Sequence, residues 1–267
     1  MSRNGPLALI FHALVVVFML APILIVCVVA FTPEGYLSLP TNGLSLRWFK
    51  AIGNYPEFLT GFRDSLWLAG LSSLIAIGLS VPAALAVARY RFPGREALSA
   101  FILSPLMIPH VVLGVAFLRF FTQIGASGTM LSLVLAHVVI VLPFAFRLTL
   151  STATGLDRSL EQAALSLGAS GATLFRRVTL PLILPGVVSG FVLAFINSFD
   201  EVTMTVFIAA PGATTLPVRM FLYIQDNIDP LVTSVSAAVI ALTVIVMGLI
   251  EWLYGLDRLL AGEGGGR

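Results

Sequence analysis

Glu161-Gln162-Ala163-Ala164-Leu165-Ser166-Leu167-Gly168-Ala169-Ser170, continuing to Arg176-Arg177-Val178-Thr179-Leu180-Pro181, is a polar, Ala/Gly-rich stretch between two strongly apolar runs. The chain must leave an apolar layer, build something ordered in water, and return. Gly168 is suited to end a helix in the left-handed conformation. Ser159 and Gln162 have the spacing of a capping box, Ala163, Ala164 and Leu165 propagate a helix well, and Ser170 is placed to cap a second short helix through Thr173–Arg177. Two readings of this segment stand. It either lies on the membrane surface and only joins two spans, or it presses its small-residue ridge into a groove on a soluble partner.

The layer it interrupts is a bilayer. The chain has 267 residues, is 58% hydrophobic and only 10% charged, and its mean hydropathy is +1.01. Soluble domains carry about a quarter charged residues, so most of this surface has to face lipid or other apolar protein. Six runs approach the ~20 apolar residues that a helix needs to cross: Leu7–Phe31, Ser65–Val87, Leu98–Phe121, Met130–Phe146, Pro185–Ala209 and Val232–Tyr254. Backbone groups in lipid must be satisfied within each segment, which selects helices over open strands. The expected fold is all-α, a polytopic membrane protein with six transmembrane helices. Residues 1–64 hold the first span and an external loop, 65–255 the core with the polar segment at 157–181, and 256–267 a tail. The first run is longer than the ~7–15-residue core of a cleaved signal, so it reads as a retained span. The loop Thr32–Asp64, with its Pro, Gly and aromatic residues, reads as a compact external cap.

Arginine and lysine orient the spans. One side collects Arg3, Arg89, Arg91, Arg95, Arg147, Arg158, Arg176, Arg177, Arg258 and Arg267; the other holds Arg47, Lys50, Arg63, Arg119 and Arg219. The richer side is cytoplasmic, which places both termini and the 157–181 segment there. Trp252 and Tyr254 read as interfacial anchors, and Arg89, Arg91 and Arg95 as orientation signal and headgroup contacts. The net charge is +2 and the basic residues sit in short clusters between apolar runs, so no nucleic-acid partner is expected. Cys27 stands alone and His12, His110 and His137 are scattered, so no metal site is expected. Lys50 is the only lysine and no Gly-rich loop precedes it, so any ATP must bind another chain.

Asp200 and Glu201 interrupt the fifth apolar run. With that span starting near Pro185, Asp200 lies ~22 Å along it, in the outer half of the bilayer. A carboxylate facing lipid there would cost at least ~2.5 kcal/mol. Asn197 lies one turn earlier, so the three form one polar patch if the helix continues. One reading is a cation-attracting site on a translocation path. The other is an ion pair with Arg63 or Arg119, or a helix that ends earlier than drawn. His110 follows Pro105 and Pro109, which should bend the third span; it is a path residue at that bend or a hydrogen-bonded packing residue. His12 and His137 read as packing. The segment Thr214–Asp229 either dips toward the path or caps it.

The 161–181 stretch resembles the "EAA" signature of permease subunits in binding-protein-dependent ABC importers: Glu-Ala-Ala, three residues, Gly, nine residues, Ile, one residue, Leu-Pro. This chain has Gln162-Ala163-Ala164, Gly168 and Val178-Thr179-Leu180-Pro181 in the same spacing, with Gln162 for Glu and Val178 for Ile. Leu142-Pro143-Phe144, Leu156-Asp157, Ser159-Leu160 and Phe199-Asp200-Glu201-Val202 are similar to the spermidine/putrescine branch. The resemblance implies the type I importer fold in a bacterial inner membrane and no enzymatic chemistry in this chain. ATP and Mg would lie on a cytoplasmic ATPase subunit that receives Glu161, Gln162, Ala163, Ala164 and Gly168. A second permease subunit, in a heterodimer, and a periplasmic solute-binding protein complete the implied assembly. The cargo would be a small cationic or zwitterionic, polyamine-like solute moving past Asn197, Asp200, Glu201 and His110. The rival reading is an ion-coupled secondary transporter with Asp200, Glu201 and His110 as its relay. A membrane enzyme would need a nucleophile and base close together, which this sequence does not offer.

Overall fold

In the computed structural model, residues 5–39 and 42–254 are described, with side chains described for all but Pro6 and residues 250–254. The anchor residues Trp252 and Tyr254, together with Arg3, Arg258, Arg267 and the tail from residue 256, therefore fall outside the described side chains or residues. The helices are α1 (Pro6–Val29), α2 (Arg47–Ala51), α3 (Pro56–Arg89), α4 (Arg95–Leu103), α5 (His110–Gln123), α6 (Met130–Gly155), α7 (Arg158–Ser166), α8 (Gly171–Leu174), α9 (Leu180–Phe199), α10 (Thr205–Ile208), α11 (Leu216–Asp226) and α12 (Leu231–Tyr254). Among the described residues the only β feature is an isolated bridge between Ala210 and Ala213.

Among the described residues, five helical stretches are long and apolar enough to cross a membrane, and a sixth arises if the bent pair α4 and α5 counts as one span. That pair turns through 102°. The expected bend in the third span is thus a full break, and the prolines explain it. A 3-10 turn, Ser104–Met107, contains Pro105, and Ile108 is forced to ψ 128° as the residue before Pro109. Pro109 then precedes the first residue of α5, His110. The fourth span also differs from expectation. α6 continues nine residues past Phe146 to Gly155, so Arg147 sits on a helix rather than in a loop.

The chain divides into two compact units. One joins the residues up to Leu59 with Met220–Leu253. In it α1 is apolar all round and largely exposed, as suits a helix whose solvent is lipid. The loop after α1 is tied by Ser45 N to Phe31 O (2.7 Å) and by Trp48 Nε1 to Glu34 O (2.9 Å). Ser234 Oγ on α12 donates to Ala30 O (3.1 Å). Part of the expected external loop is helical, because α2 and the start of α3 fall within Thr32–Asp64.

The second unit, Thr60–Arg219, holds both candidate sites. Its centre is α6, packed on α9 along a small-residue stripe, Gly186, Gly190, Ala194 and Ser198, all four buried or half-buried at fourfold spacing. A Cβ on Gly186 would stand 2.8 Å from Leu148 O and collide with the Thr152 side chain; one on Gly190 would stand 3.2 Å from Ala145 O. Small residues at this spacing let two apolar helices approach backbone to backbone, where dispersion replaces a hydrophobic driving force. Leu68, Phe121, Val134, Ile140 and Met204 fill the core around this pair.

Candidate functional site

The 157–181 segment is a helical hairpin. Asp157, not Ser159, is the N-cap of α7: its carboxylate accepts from Ser159 N at 2.9 Å. That amide bond holds the Asp157 carboxyl below the usual carboxylate range. The capping box expected from Ser159 and Gln162 does not form, because the helix already starts at Arg158. Gly168 adopts φ +82°. Gly168 N donates to Leu165 O (2.9 Å) and Ala169 N to Ala164 O (3.0 Å), a left-handed closure that only a residue without Cβ enters without strain. Ser170 caps the next helix through Thr173 N (3.3 Å). The second short helix, expected through Thr173–Arg177, is not a separate element. It runs through a π-helical turn, Phe175–Thr179, straight into α9. Pro181 at the start of α9 has no N–H to return to the preceding turn, and the wider turn accommodates that loss.

Along α7 the side chains divide by face. Gln162 and Ala163 are exposed, Ala164 is half-buried, and Leu160, Leu165 and Leu167 present apolar surface outward. Glu161 turns the other way. Arg89 Nε at the end of α3 stands 2.9 Å from its Oε2, and Arg89 Nη2 donates to its Oε1 at 3.1 Å. The same Oε1 accepts from Thr179 Oγ1 in the π turn (2.9 Å). Arg89 Nη1 also donates to Ala153 O on α6 (2.9 Å), and Arg158 Nη2 to Ala88 O on α3 (2.8 Å). Arg89 is therefore a structural bond-maker, where its sequence cluster suggested headgroup contact.

The acid pair sits where α9 stops. The helix ends at Phe199 with Asp200 as C-cap, so neither acid lies on a continuous fifth span running to Ala209. Asp200 is exposed. Glu201 is 7% exposed and faces inward: its Oε2 meets His110 Nδ1 at 2.6 Å, and its Oε1 accepts from Met204 N at 2.6 Å. Asn197 Nδ2 donates to Leu193 O on its own helix (2.8 Å), so the three residues do not make one helical patch. Arg63 pairs with its neighbour Asp64 (3.0 Å) and Arg119 is exposed; neither serves as counter-ion to the acids. On the inner side of the break, His137 Nδ1 meets Ser198 Oγ at 2.8 Å and Nε2 meets Thr205 Oγ1 at 3.0 Å. Two histidines thus brace the 199–205 break, one from α5 and one from α6. Among the described residues no cluster of His, Cys, Asp and Glu is arranged to hold a metal.

The sequence pattern of the family described as "Binding-protein-dependent transport system inner membrane component" matches residues 76–256. The chain belongs to this family. It is therefore a multi-pass inner-membrane transport component rather than an enzyme. It is 31% identical to the spermidine/putrescine transport system permease protein PotC of Haemophilus influenzae, over 90% of this chain and 93% of that protein. It is 30% identical to the putrescine transport system permease protein PotI of Escherichia coli, over 88% of this chain and 85% of that one. The molybdenum transport system permease protein ModB of Mycobacterium bovis is 33% identical over 80% of this chain and 88% of its own length. Among solved structures, a bacterial ABC transporter involved in the import of the acidic polysaccharide alginate superposes with a TM-score of 0.72 at 15% identity, covering 95% of this chain and 99% of that one. The MetNI methionine ABC transporter gives 0.60 at 22% identity, over 76% and 95%. The fold is that of an ABC-importer permease, and the ion-coupled alternative is not favoured.

Proposed function

We propose that this chain lines half of the path of an ATP-driven importer for a small cationic or zwitterionic solute of the polyamine kind. The observation that carries this reading is the near full-length match to permeases named for spermidine and putrescine. Movement is from periplasm to cytoplasm by alternating access, with both termini and the 157–181 hairpin cytoplasmic. The exposed Gln162–Ala163 face of α7, with Gly168 closing it, docks on an ATPase subunit that holds ATP and Mg. A second permease subunit completes the path and a periplasmic binding protein delivers the cargo. The open carboxylate of Asp200 offers the attraction for an ammonium group. Glu201 and His110, engaged with each other, hold that carboxylate at the end of α9.

The test is reconstitution of this chain in proteoliposomes with its partner permease, ATPase and binding protein. Labelled spermidine should accumulate only with ATP on the ATPase side, and putrescine should compete. Competition by molybdate instead would reverse the charge assigned to the cargo. Uptake that survives without ATP and collapses with an uncoupler would transfer the function to an ion-coupled mechanism.

A further inference from the structure

The coupling hairpin is covalently continuous with only two spans. α7 follows α6 through Leu156 and Asp157, and leads through the α8 and π turns into α9. α3 ends at Arg89, far away in sequence, and nothing in the chain's connectivity obliges it to follow α7. The bonds at its end do. Arg89 reaches Glu161 through two nitrogens, and Arg158 returns a bond from α7 to Ala88 O. The guanidinium and carboxylate are nearly enclosed, their side chains 13% and 15% exposed. The same guanidinium holds the end of α6 and the same carboxylate holds the start of α9 through Thr179. One ion pair thus joins four helices, and it uses the acidic residue of the signature region that is not free to touch a partner.

We propose that Arg89 and Glu161 are positioning residues that carry the displacement of α7 to α3, so that α3 moves with α6 and α9 as one body. Glu161 acts inside the chain, and docking on the ATPase is left to the outward residues Gln162 and Ala163. This inference rests on the coupling reading above and adds the route by which a push on the hairpin reaches a span not joined to it by the chain. A nearly enclosed ion pair whose guanidinium and carboxylate each hold a further partner resists shear better than a mobile surface pair, because both ends are fixed and solvent screening is low.

The experiment uses the full reconstituted transporter with Cys27→Ser and one reporter cysteine labelled with an environment-sensitive fluorophore. The reporter is Leu79→Cys on α3 or Leu184→Cys on α9, both exposed positions. With the pair intact, ATP and Mg should change the signal at both. In Glu161→Gln, which keeps the shape and the Thr179 partner, the α9 response should remain while the α3 response falls about fivefold or more, the size of an ordinary coupling loss. The neutral double variant Arg89→Met with Glu161→Gln strands no charge and should show the same split. An undiminished α3 response in both variants would overturn the proposal. Loss of ATPase co-purification in Glu161→Gln would also overturn it, by making Glu161 a docking residue. If neither reporter responds to ATP in the intact pair, the coupling reading itself fails, and that result is distinct from the other two.

Discussion

Asp200 and Glu201 are adjacent but sit in different surroundings, Asp200 exposed and Glu201 buried, at the point where the helix ends. Asp200→Asn should leave folding untouched and raise KM for an ammonium-bearing solute about tenfold, as expected for losing one charge-assisted contact of about 1.5 kcal/mol. Glu201→Gln weakens bonds to His110 and to Met204 N in a buried setting, and should cost about 1–3 kcal/mol of stability. Uptake kinetics and a thermal-unfolding series in detergent separate the two; equal effects of both on KM would return Glu201 to the path. At the other site, the depressed carboxyl of Asp157 sets a pH dependence. Its folded-state pKa lies below the unfolded value, so its contribution to the start of α7 is fully present above about pH 4 and is lost as pH falls through the folded pKa. Amide-exchange protection at Ser159, corrected for intrinsic rate, should drop over that window. Asp157→Asn keeps a capping side chain and should remove the dependence.

At the scale of elements, the pair α6 and α9 depends on what is missing from its side chains. Gly186 faces a backbone oxygen, which cannot turn away as a side chain can. Gly186→Ala should therefore separate the helices by a few tenths of an ångström and destabilise the protein by about 1–3 kcal/mol, measured as a fall in the thermal midpoint of the purified chain. Gly186-Val187-Val188-Ser189-Gly190 carries this signal in plain sight as two glycines four apart in an apolar run. The hairpin was also legible, since Gly168 and Ser170 do what their chemistry favours. The α9 end was not. Val202–Ala209 is as apolar as the span before it, and composition does not mark where a helix stops when the residues that stop it are held by histidines from two other helices.

For the molecule as a whole, hydropathy and the spacing around Gly168 determined the class: a helical membrane protein with a polar helical hairpin between two spans, in a family whose members are named as transport permeases. Those properties are local. Each depends on a residue and its near neighbours along the chain, so they survive without coordinates. The tertiary structure decided which charges are available. It turned Glu161 inward to Arg89 and Glu201 inward to His110, and left Gln162 and Asp200 outward. Arg89 and Glu161 are 72 residues apart, and His110 and Glu201 are 91 apart. A charged side chain reads the same in sequence whether it meets water, a partner or its counter-ion, because its state is fixed by pair geometry that only packing of distant helices supplies.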